Sequence, residues 1–552
     1  MDSEKWRKAH QYTPEQEAAA RSILEELRHG RELHQAMRRY PQPGGGYLPK
    51  HLLVAVYRQL VESGEWPADP ALLERIRMKP VRTLSGVTTV TVLTKPYPCP
   101  GDCIFCPTEE RQPKSYISDE PGARRALENN FDPFAQVDSR LRALAEVGHP
   151  TDKVELLILG GSWSAYPRDY QKWFIHRCFE AMNGCESASL EEAHQINENA
   201  AHRNVGLVIE TRPDLVTPEE LAWLRSLGVT KVQMGAQSLD DVLLVLNRRD
   251  HTVADTLRAC TLLRAGGFKI VLHWMPNLLG ATPESDREDF ARLWMKRGIE
   301  TGFCPDEIKI YPCQLLANTE LYHYWERGEY QPYDEEVLTE LVADVKAKVP
   351  RYCRINRIIR DIPSNNVVAG NKRTSLRQDV QANMTRRKLR CQCIRCREVR
   401  EKAVLPGALK LEEIVYYPAQ AEEHFISFVT PDDHLAGYLR LSLPEKDAPN
   451  LGLADLDGAA IIREVHVYGQ SLQVGSERTG AAQHVGLGSR LIELAAEKAY
   501  AKGFRRLAVI AAIGTRRYYR ARGFADGQLY MVRDLTIPDL DDELEEEIDL
   551  EE

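Results

Sequence analysis

The sequence predicts an α/β protein: a full or partial (β/α) barrel followed by a smaller α+β domain. Between about residues 81 and 312, short apolar β-runs alternate with helical patterns through six units. Strands that apolar, separated by helices, call for a parallel sheet covered on both faces. From about residue 410 the order changes to several strands in succession, then a helix and further strands, the arrangement of an α+β unit. Six consecutive β/α units favour a barrel over a doubly wound sheet, although periodicity alone does not separate the two. A chain of 552 residues has room for about three or four domains.

Taken in order, residues 1–80 read as helical and basic. Thr13-Pro14-Glu15-Gln16 supplies an N-cap, a first-turn proline and a capping-box glutamine, and Gly30 is a plausible stop. Arg31, His34, Arg38, Arg39, Lys50, His51 and Arg58 add positive charge, and PQPGGG before Tyr47 reads as a turn. The barrel strands are TVTVL (89–93), VELLILGG (154–161), VGLVIET (205–211), KVQMGAQ (231–237), KIVLHWM (269–275) and EIKIYP (307–312). Helical patterns at 131–147, 218–227, 252–266 and 284–297 lie between them. No run of eighteen apolar residues suggests a membrane span, and the N-terminus lacks a signal core. The chain is therefore expected in the cytoplasm, where its twelve cysteines imply metal binding or catalysis rather than disulfides.

Three of those cysteines, Cys99, Cys103 and Cys106, form C-x3-C-x2-C just after the first strand, where barrels place working groups. One short loop can then set three thiolates around a cubane iron–sulfur cluster and leave the fourth iron without a protein ligand. Ferredoxin-type sites fill every iron with cysteine, so an open iron points to small-molecule chemistry. A zinc knuckle is the alternative reading. A second group, Cys391, Cys393 and Cys396, suits a small zinc site with Cys313 as the candidate fourth ligand and Cys353 or Cys304 as alternatives. It ends a basic stretch, 351–402, with fifteen Lys or Arg against four acids, which looks like a polyanion-binding surface. Arg373, Arg386, Arg387 and Lys388 are its candidate contacts, with Arg38 and Arg39 from the N-terminal helices. The net charge of −9 resides in the tail: residues 539–552 hold ten acids and no base, which reads as a disordered end.

In the second domain, AIIREVHVYG (460–469) precedes Gln483-His484-Val485-Gly486-Leu487-Gly488 and then a helix. Glycines at a strand–helix turn let backbone approach anionic oxygens, and the free amides of the helix start attract them. Tyr518 and Tyr519, in GTRRYYRARGF, offer a phenol to a site or pack as core aromatics.

The strand, (Q/R)-x-x-G-x-G turn, helix, strand and Y-Y-x-x-x-G-F ending resemble the GNAT acetyltransferase superfamily, which binds acetyl-CoA at that turn. C-x3-C-x2-C after the first barrel strand resembles the radical S-adenosylmethionine (SAM) superfamily, whose [4Fe–4S] cluster cleaves SAM to a 5′-deoxyadenosyl radical. Gly160-Gly161-Ser162 is similar to that superfamily's Gly-Gly-Glu element, with Ser in place of Glu. Glu210 and Arg212 in ETRPD and Gln237 in GAQS are further candidate SAM or substrate contacts; capping of strand ends explains them equally well. With both halves in one chain, and ETRPD, GAQS, IKIYP, REVHVYG and GTRRYY in order, the sequence resembles the catalytic subunit of Elongator in its bacterial and archaeal form, over roughly residues 20–535.

That resemblance implies modification of the wobble uridine of tRNA. The radical would take hydrogen from the acetyl methyl group of acetyl-CoA, the carbon would add to uridine carbon 5, and thioester hydrolysis would leave a carboxymethyl group. It matches Cys99, Cys103 and Cys106 to cluster ligands and Lys153 to an acetyl-CoA contact from the barrel. Glu464, Val465, His466 and Val467 match the strand along the pantetheine arm. Leu487, Gly488 and Ser489 match the pyrophosphate loop, with Gln483 and Gly486 in the turn, and Tyr519 matches a tyrosine near the thioester. The implied partner is the tRNA anticodon stem-loop, the electron donor being unidentified. A protein lysine acetyltransferase with a structural iron–sulfur domain, using Glu464 as base, is the competing expectation; a catalytically silent tRNA-binding scaffold is a third. The radical reading also requires Cys99, Cys103 and Cys106 to face the acetyl-CoA end of the second domain, with the two domains packed tightly together.

Overall fold

The computed structural model describes residues 12–42, 46–79, 83, 85–294, 302–373, 375–400, 404–468 and 486–536. Gln483 and the acidic tail lie outside them.

Among the described residues, the N-terminal segment forms four helices, Pro14–Arg28, Leu33–Arg39, Lys50–Glu62 and Pro70–Ile76. The first begins with the capping box read from Thr13 and Gln16. Ile23, Leu24, Leu27, Leu52, Leu53 and Tyr57 close a core of their own.

The barrel strands are β1 (Thr88–Leu93), β2 (Lys153–Leu159), β3 (Arg203–Thr211), β4 (Lys231–Gln237), β5 (Lys269–Trp274), β6 (Glu307–Ile310) and β7 (Arg354–Ile358). They pair in parallel, in sequential order, without returning to β1. A doubly wound sheet would reverse its order part-way, so this is the partial barrel. The helices between strands start on side-chain caps, such as Thr217, Thr252 and Thr282. β7 lies inside the stretch read as a basic linker. Its sequence, RINRI, mixes polar and apolar residues, as befits the edge strand of the sheet, so it lacks the continuous apolar run of a central strand.

The second domain is a mixed sheet of β8 (Lys410–Tyr416), β9 (Ala421–Val429), β10 (Leu435–Pro444), β11 (Ala459–Val467), β12 (Arg506–Val509), β13 (Ala525–Asp526) and β14 (Met531–Asp534), in the order β8-β9-β10-β11-β12-β14-β13. Only β11 and β12 run parallel among these pairs, and their pairing ends at Ile462–Val509. The last residues of β11 are therefore unpaired on that side. The helix Leu487–Ala501 buries Leu491, Ile492, Ala495 and Ala499 in the domain's core.

This domain covers the barrel at the N-terminal ends of its strands. Gly514 packs so closely on β3 that a Cβ there would come within 2.7 Å of Arg203 Cβ and 2.8 Å of the Asn204 carbonyl. Tyr530 donates to the Gly266 carbonyl (2.7 Å), and Arg225 donates to the Leu529 carbonyl (2.6 Å). Tyr352 and Tyr416 stack at 3.9 Å with planes 1° apart. One apolar core runs from the barrel helices into the second domain.

The interface also holds buried charge. A bulge between β10 and β11, where Arg440 and Leu441 oppose Glu464 and Ile462, leaves Arg463 as the extra residue. Arg463 turns into the seam and donates to Asp306 (2.6 and 2.8 Å) and Glu423 (2.8 and 3.0 Å). Burial alone would raise the Asp306 carboxyl, but Arg463 and Arg440 outweigh it and hold it far below the usual range.

Candidate active site

A cavity of about 1590 Å³ runs through the barrel lumen. Its walls are the inward-facing residues of the strands, and its floor is the second domain. Cys106, Glu210 and Gln237 line it near the C-terminal strand ends. Glu464, Val465, His466, Val467, Gly486, Gly488, Ser489, Tyr518 and Tyr519 line it from the second domain. One β-strand separates the two ends, about 20 Å at roughly 3.3 Å per residue. The lining carries fifteen Lys or Arg against seven carboxylates, so the space attracts anions.

At the upper end the cysteine loop is braced from below. The Gly101 amide donates to Cys99 Sγ at 3.5 Å, and Arg249 Nη1 donates to Cys103 Sγ at 3.2 Å. Arg249 is itself fixed by the Gly235 carbonyl (2.6 Å). Donors aimed at sulfur tune a bound cluster, so the donor set fits three cluster ligands. Burial, then the Cys103 sulfur, pushes the Cys106 thiol up to about 12, which a cation or cluster at the site would reverse. Gly160 and Gly161 follow β2, and Ser162 Oγ lies 3.9 Å from Cys99 Sγ, so the Gly-Gly-Ser turn abuts the loop. Gly160 has φ +131°, and a Cβ there would fall 1.9 Å from Thr94 Oγ1; only glycine fits.

Arg212, one of the expected cofactor contacts, is not on the cavity wall. It is buried, pairs with Asp214 (3.0 Å) and Asp250 (3.5 Å), and fills the space where Gly101 has no side chain. Its role is to hold the loop. Glu210 and Gln237 do face the cavity. Burial raises the Glu210 carboxyl, and Gln237 keeps an unpartnered Oε1.

At the lower end, Gly486 takes φ +70° as the N-cap of the helix Leu487–Ala501, which turns the helix's free amides toward the cavity. A Cβ on Gly488 would meet the Tyr518 hydroxyl at 2.3 Å, so Tyr518 closes over the helix start. Arg522 lies 3.5 Å above the Tyr518 ring and donates to Ser489 Oγ at 3.0 Å. Tyr519 is buried against Phe524. Burial opposes charge on Glu464, but Lys269 (2.7 Å) and Arg440 (2.9 Å) outweigh it and hold this carboxylate well below the usual range. His466 is kept neutral by burial, at about 4. Lys153 lines the lower cavity, and burial lowers its ammonium.

The sequence reading missed the ionic ladder between these ends. Lys231 donates to Glu155 (2.7 Å) and Glu307 (3.1 Å). Burial pushes the Glu155 carboxyl up, yet Lys231 and Lys269 win and hold it at about 2. A signal was present: three barrel strands, KVELLIL, KVQMGAQ and KIVLHW, begin with lysine, and all three lysines line the cavity. Arg249 and Asp306 carried no local pattern.

The second cysteine group lies elsewhere. The ligand atoms of Cys391, Cys393 and Cys396 are within 4.8 Å of one another, compatible with tetrahedral zinc at about 2.3 Å per Zn–S bond. Shared thiol hydrogen bonds drive Cys393 well below its ordinary value and Cys391 up. Cys313 does not join them. It is buried with Ile104, Leu278 and Tyr330, because the turn after β6 carries it to the opposite strand end. Cys353 stays near, its carbonyl accepting from the Ile394 amide (3.0 Å). Among the expected RNA contacts, Arg38, Arg39, Arg373, Arg386, Arg387 and Lys388 are all exposed. Three are already engaged: Arg39 with Glu26 (3.1 Å), Arg373 with Glu335 (2.8 Å) and Arg387 with Asp344 (2.7 Å).

Comparison with known proteins agrees with this architecture. The Radical SAM superfamily model matches residues 97–293, and the Radical_SAM C-terminal domain model matches residues 305–386. A tRNA uridine(34) acetyltransferase of Dehalococcoides mccartyi is 42% identical over 462 residues, 82% of this chain and 99% of that protein. Human Elongator complex protein 3 is 34% identical over 479 residues, 84% of this chain and 86% of its own. The chain belongs to this family. The solved structure of Methanocaldococcus infernus Elp3, lacking its N-terminus, superposes with a TM-score of 0.70 at 36% identity, covering 82% of this chain and 99% of that one. Family membership makes the upper site a radical SAM site, which implies a [4Fe–4S] cluster and SAM. Among the described residues, no helix is long and apolar enough to cross a membrane.

Proposed function

We propose that this chain modifies the wobble uridine of tRNA, using acetyl-CoA in its second domain and a SAM-derived radical from its barrel to build a carboxymethyl group at uridine carbon 5. One observation carries the reading: a single cavity joins the cysteine loop to the strand and helix start where acetyl-CoA is expected. The relatives named for tRNA uridine(34) supply the substrate class.

When bound, the cluster and SAM supply the hydrogen-abstracting radical. The chain's own residues do the remainder. The amides of residues 487–489 and the basic lining hold phosphate oxygens. Tyr518, over the helix start, offers a phenol to the thioester end, with Tyr519 packed behind it. Lys153, easily deprotonated for a lysine, faces the same space from the barrel. The seam of Arg463, Asp306 and Glu423 keeps the floor closed and water out. Cys391, Cys393 and Cys396 would hold a structural zinc ion.

The competing reading, direct acetylation of protein lysines, needs a general base near neutral pKa. Glu464 is ion-paired with Lys269 and Arg440 and stays ionised with little affinity for a proton, which argues against it. The deciding experiment supplies anaerobically reconstituted protein with SAM, reductant, labelled acetyl-CoA and tRNA. Expected are deoxyadenosine and label in tRNA; label in protein lysines without label in tRNA would overturn the proposal.

A further inference from the structure

Toward the upper end of the lumen, beside Glu210, three polar side chains from successive strands form a layer that the proposed mechanism leaves unused: Gln233 on β4, His273 on β5 and Lys309 on β6. All are nearly buried, with 3%, 5% and 8% of their surface exposed, and all line the cavity. Their hydrogen bonds fix every donor and acceptor. An ammonium can only donate, so the Gln233 atom facing Lys309 Nζ is the carbonyl oxygen. The same oxygen lies 3.0 Å from His273 Nε2, so Nε2 carries the proton. Burial, reinforced by Lys309 and Arg360, keeps this imidazole neutral, which leaves Nδ1 as a bare acceptor. The nearest carboxylate to Nδ1, Glu210 Oε1, is 3.8 Å away, beyond hydrogen-bond range. The layer thus carries a donor (Lys309), an acceptor (His273 Nδ1) and a second donor (the Gln233 amide NH₂) on residues that line the cavity.

We propose that Gln233, His273 and Lys309 read the base edge of a uracil turned into the lumen. Resting on the wobble-uridine reading above, this assigns the residues that choose the base. Uracil presents acceptor, donor, acceptor along O4, N3–H and O2, the complement of this layer. Cytosine sets an amine against the Lys309 ammonium and a bare N3 against the His273 lone pair. Both mismatches leave buried polar groups unpaired, which is how a site rejects a near-isostere. Flat walls are at hand for the ring. Tyr311 packs edge-on to His273 at 5.5 Å, and Tyr116 is held by the Arg360 guanidinium at 4.7 Å. Both line the cavity, and stacking on aromatic rings is the usual support for an unpaired base. The layer lies beside Glu210 toward the cysteine loop, at the end of the cavity where the proposed radical arises. A base reaches that depth only when extruded from its stack.

The test is equilibrium binding of fluorescent anticodon stem-loops to the full chain, with uridine, cytidine or N3-methyluridine at the wobble position. The unsubstituted chain is expected to prefer uridine over both by roughly tenfold or more. Lys309→Met and His273→Phe should bring the uridine-to-cytidine ratio toward one, while His273→Gln, which restores an acceptor, should recover part of the preference. Circular dichroism and melting temperature verify that each variant is folded. A preference that persists in folded Lys309→Met and His273→Phe overturns the assignment and leaves the RNA reading standing. Equal binding of all three stem-loops by the unsubstituted chain also overturns it. No binding of any stem-loop removes both proposals.

Discussion

Lys231 is the residue on which the lumen's electrostatics turn. It is 7% exposed and is the ammonium bonded to both Glu155 and Glu307. Removing it leaves the buried Glu307 without its cation and Glu155 with Lys269 alone, so Lys231→Met is expected to cost about 3–5 kcal/mol, read as a lowered urea midpoint. A double replacement, Lys231→Met with Glu307→Gln, should recover part of that loss. Gly514 is the other residue that tolerates no change. A methyl group there meets the backbone of Asn204 at 2.8 Å, and Gly514→Ala is expected to cost about 1–3 kcal/mol by forcing the domains apart. An unchanged melting temperature would show that the seam can yield.

Elements separate what was legible in the sequence from what was not. β2 through β5 stood out as apolar runs, and their order along the chain became their order in the sheet. β7 did not, since an edge strand that mixes arginine and asparagine with two isoleucines looks like any basic surface. The helix Leu376–Arg386 shows the same limit in its charges. Sequence gives Arg386, Arg387 and Lys388 equal weight, but Arg387 is bound to Asp344 at 2.7 Å. No ion pair is found for Arg386 or Lys388 among the described residues. In a salt titration of tRNA binding, Arg386→Ala with Lys388→Ala should therefore flatten the log–log slope more than Arg387→Ala does. An equal effect of all three would mean that Arg387 leaves Asp344 for RNA. The place of the cysteine loop just after the first strand was legible, because its spacing pattern is local. The buried ion pairs of the seam were not, because Asp306 and Arg463 are 157 positions apart and no local pattern links them.

For the whole molecule, the buried histidines set its response to acid. His194 sits in the seam, its ring 3.6 Å from where a Cβ on Gly228 would lie, and burial lowers it to about 3. A depressed folded pKa contributes stability that is complete above the unfolded value of about 6.5 and is lost as pH falls toward 3. At pH 5 the loss is about 2 kcal/mol for this one group. Asp286 works in the opposite sense: burial raises it to about 7, so it stabilises most at low pH. The clean measurement is the difference in urea midpoint between pH 7.5 and pH 5.0 for the chain and for His194→Gln. The variant should lose less on acidification, and identical losses would exclude His194 as the acid-sensitive group.

The floor of the lumen belongs to one domain and its walls to another, and the seam between them is made of buried ion pairs, stacked rings and shared apolar core. Covalent continuity is then redundant once the chain has folded. A chain cleaved after folding, between residues 400 and 404, is expected to migrate as one particle through size-exclusion chromatography and to come apart only in denaturant. The same fragments expressed separately should not assemble as well, since each would have to fold with Asp306, Arg440 or Arg463 facing water in place of its partner.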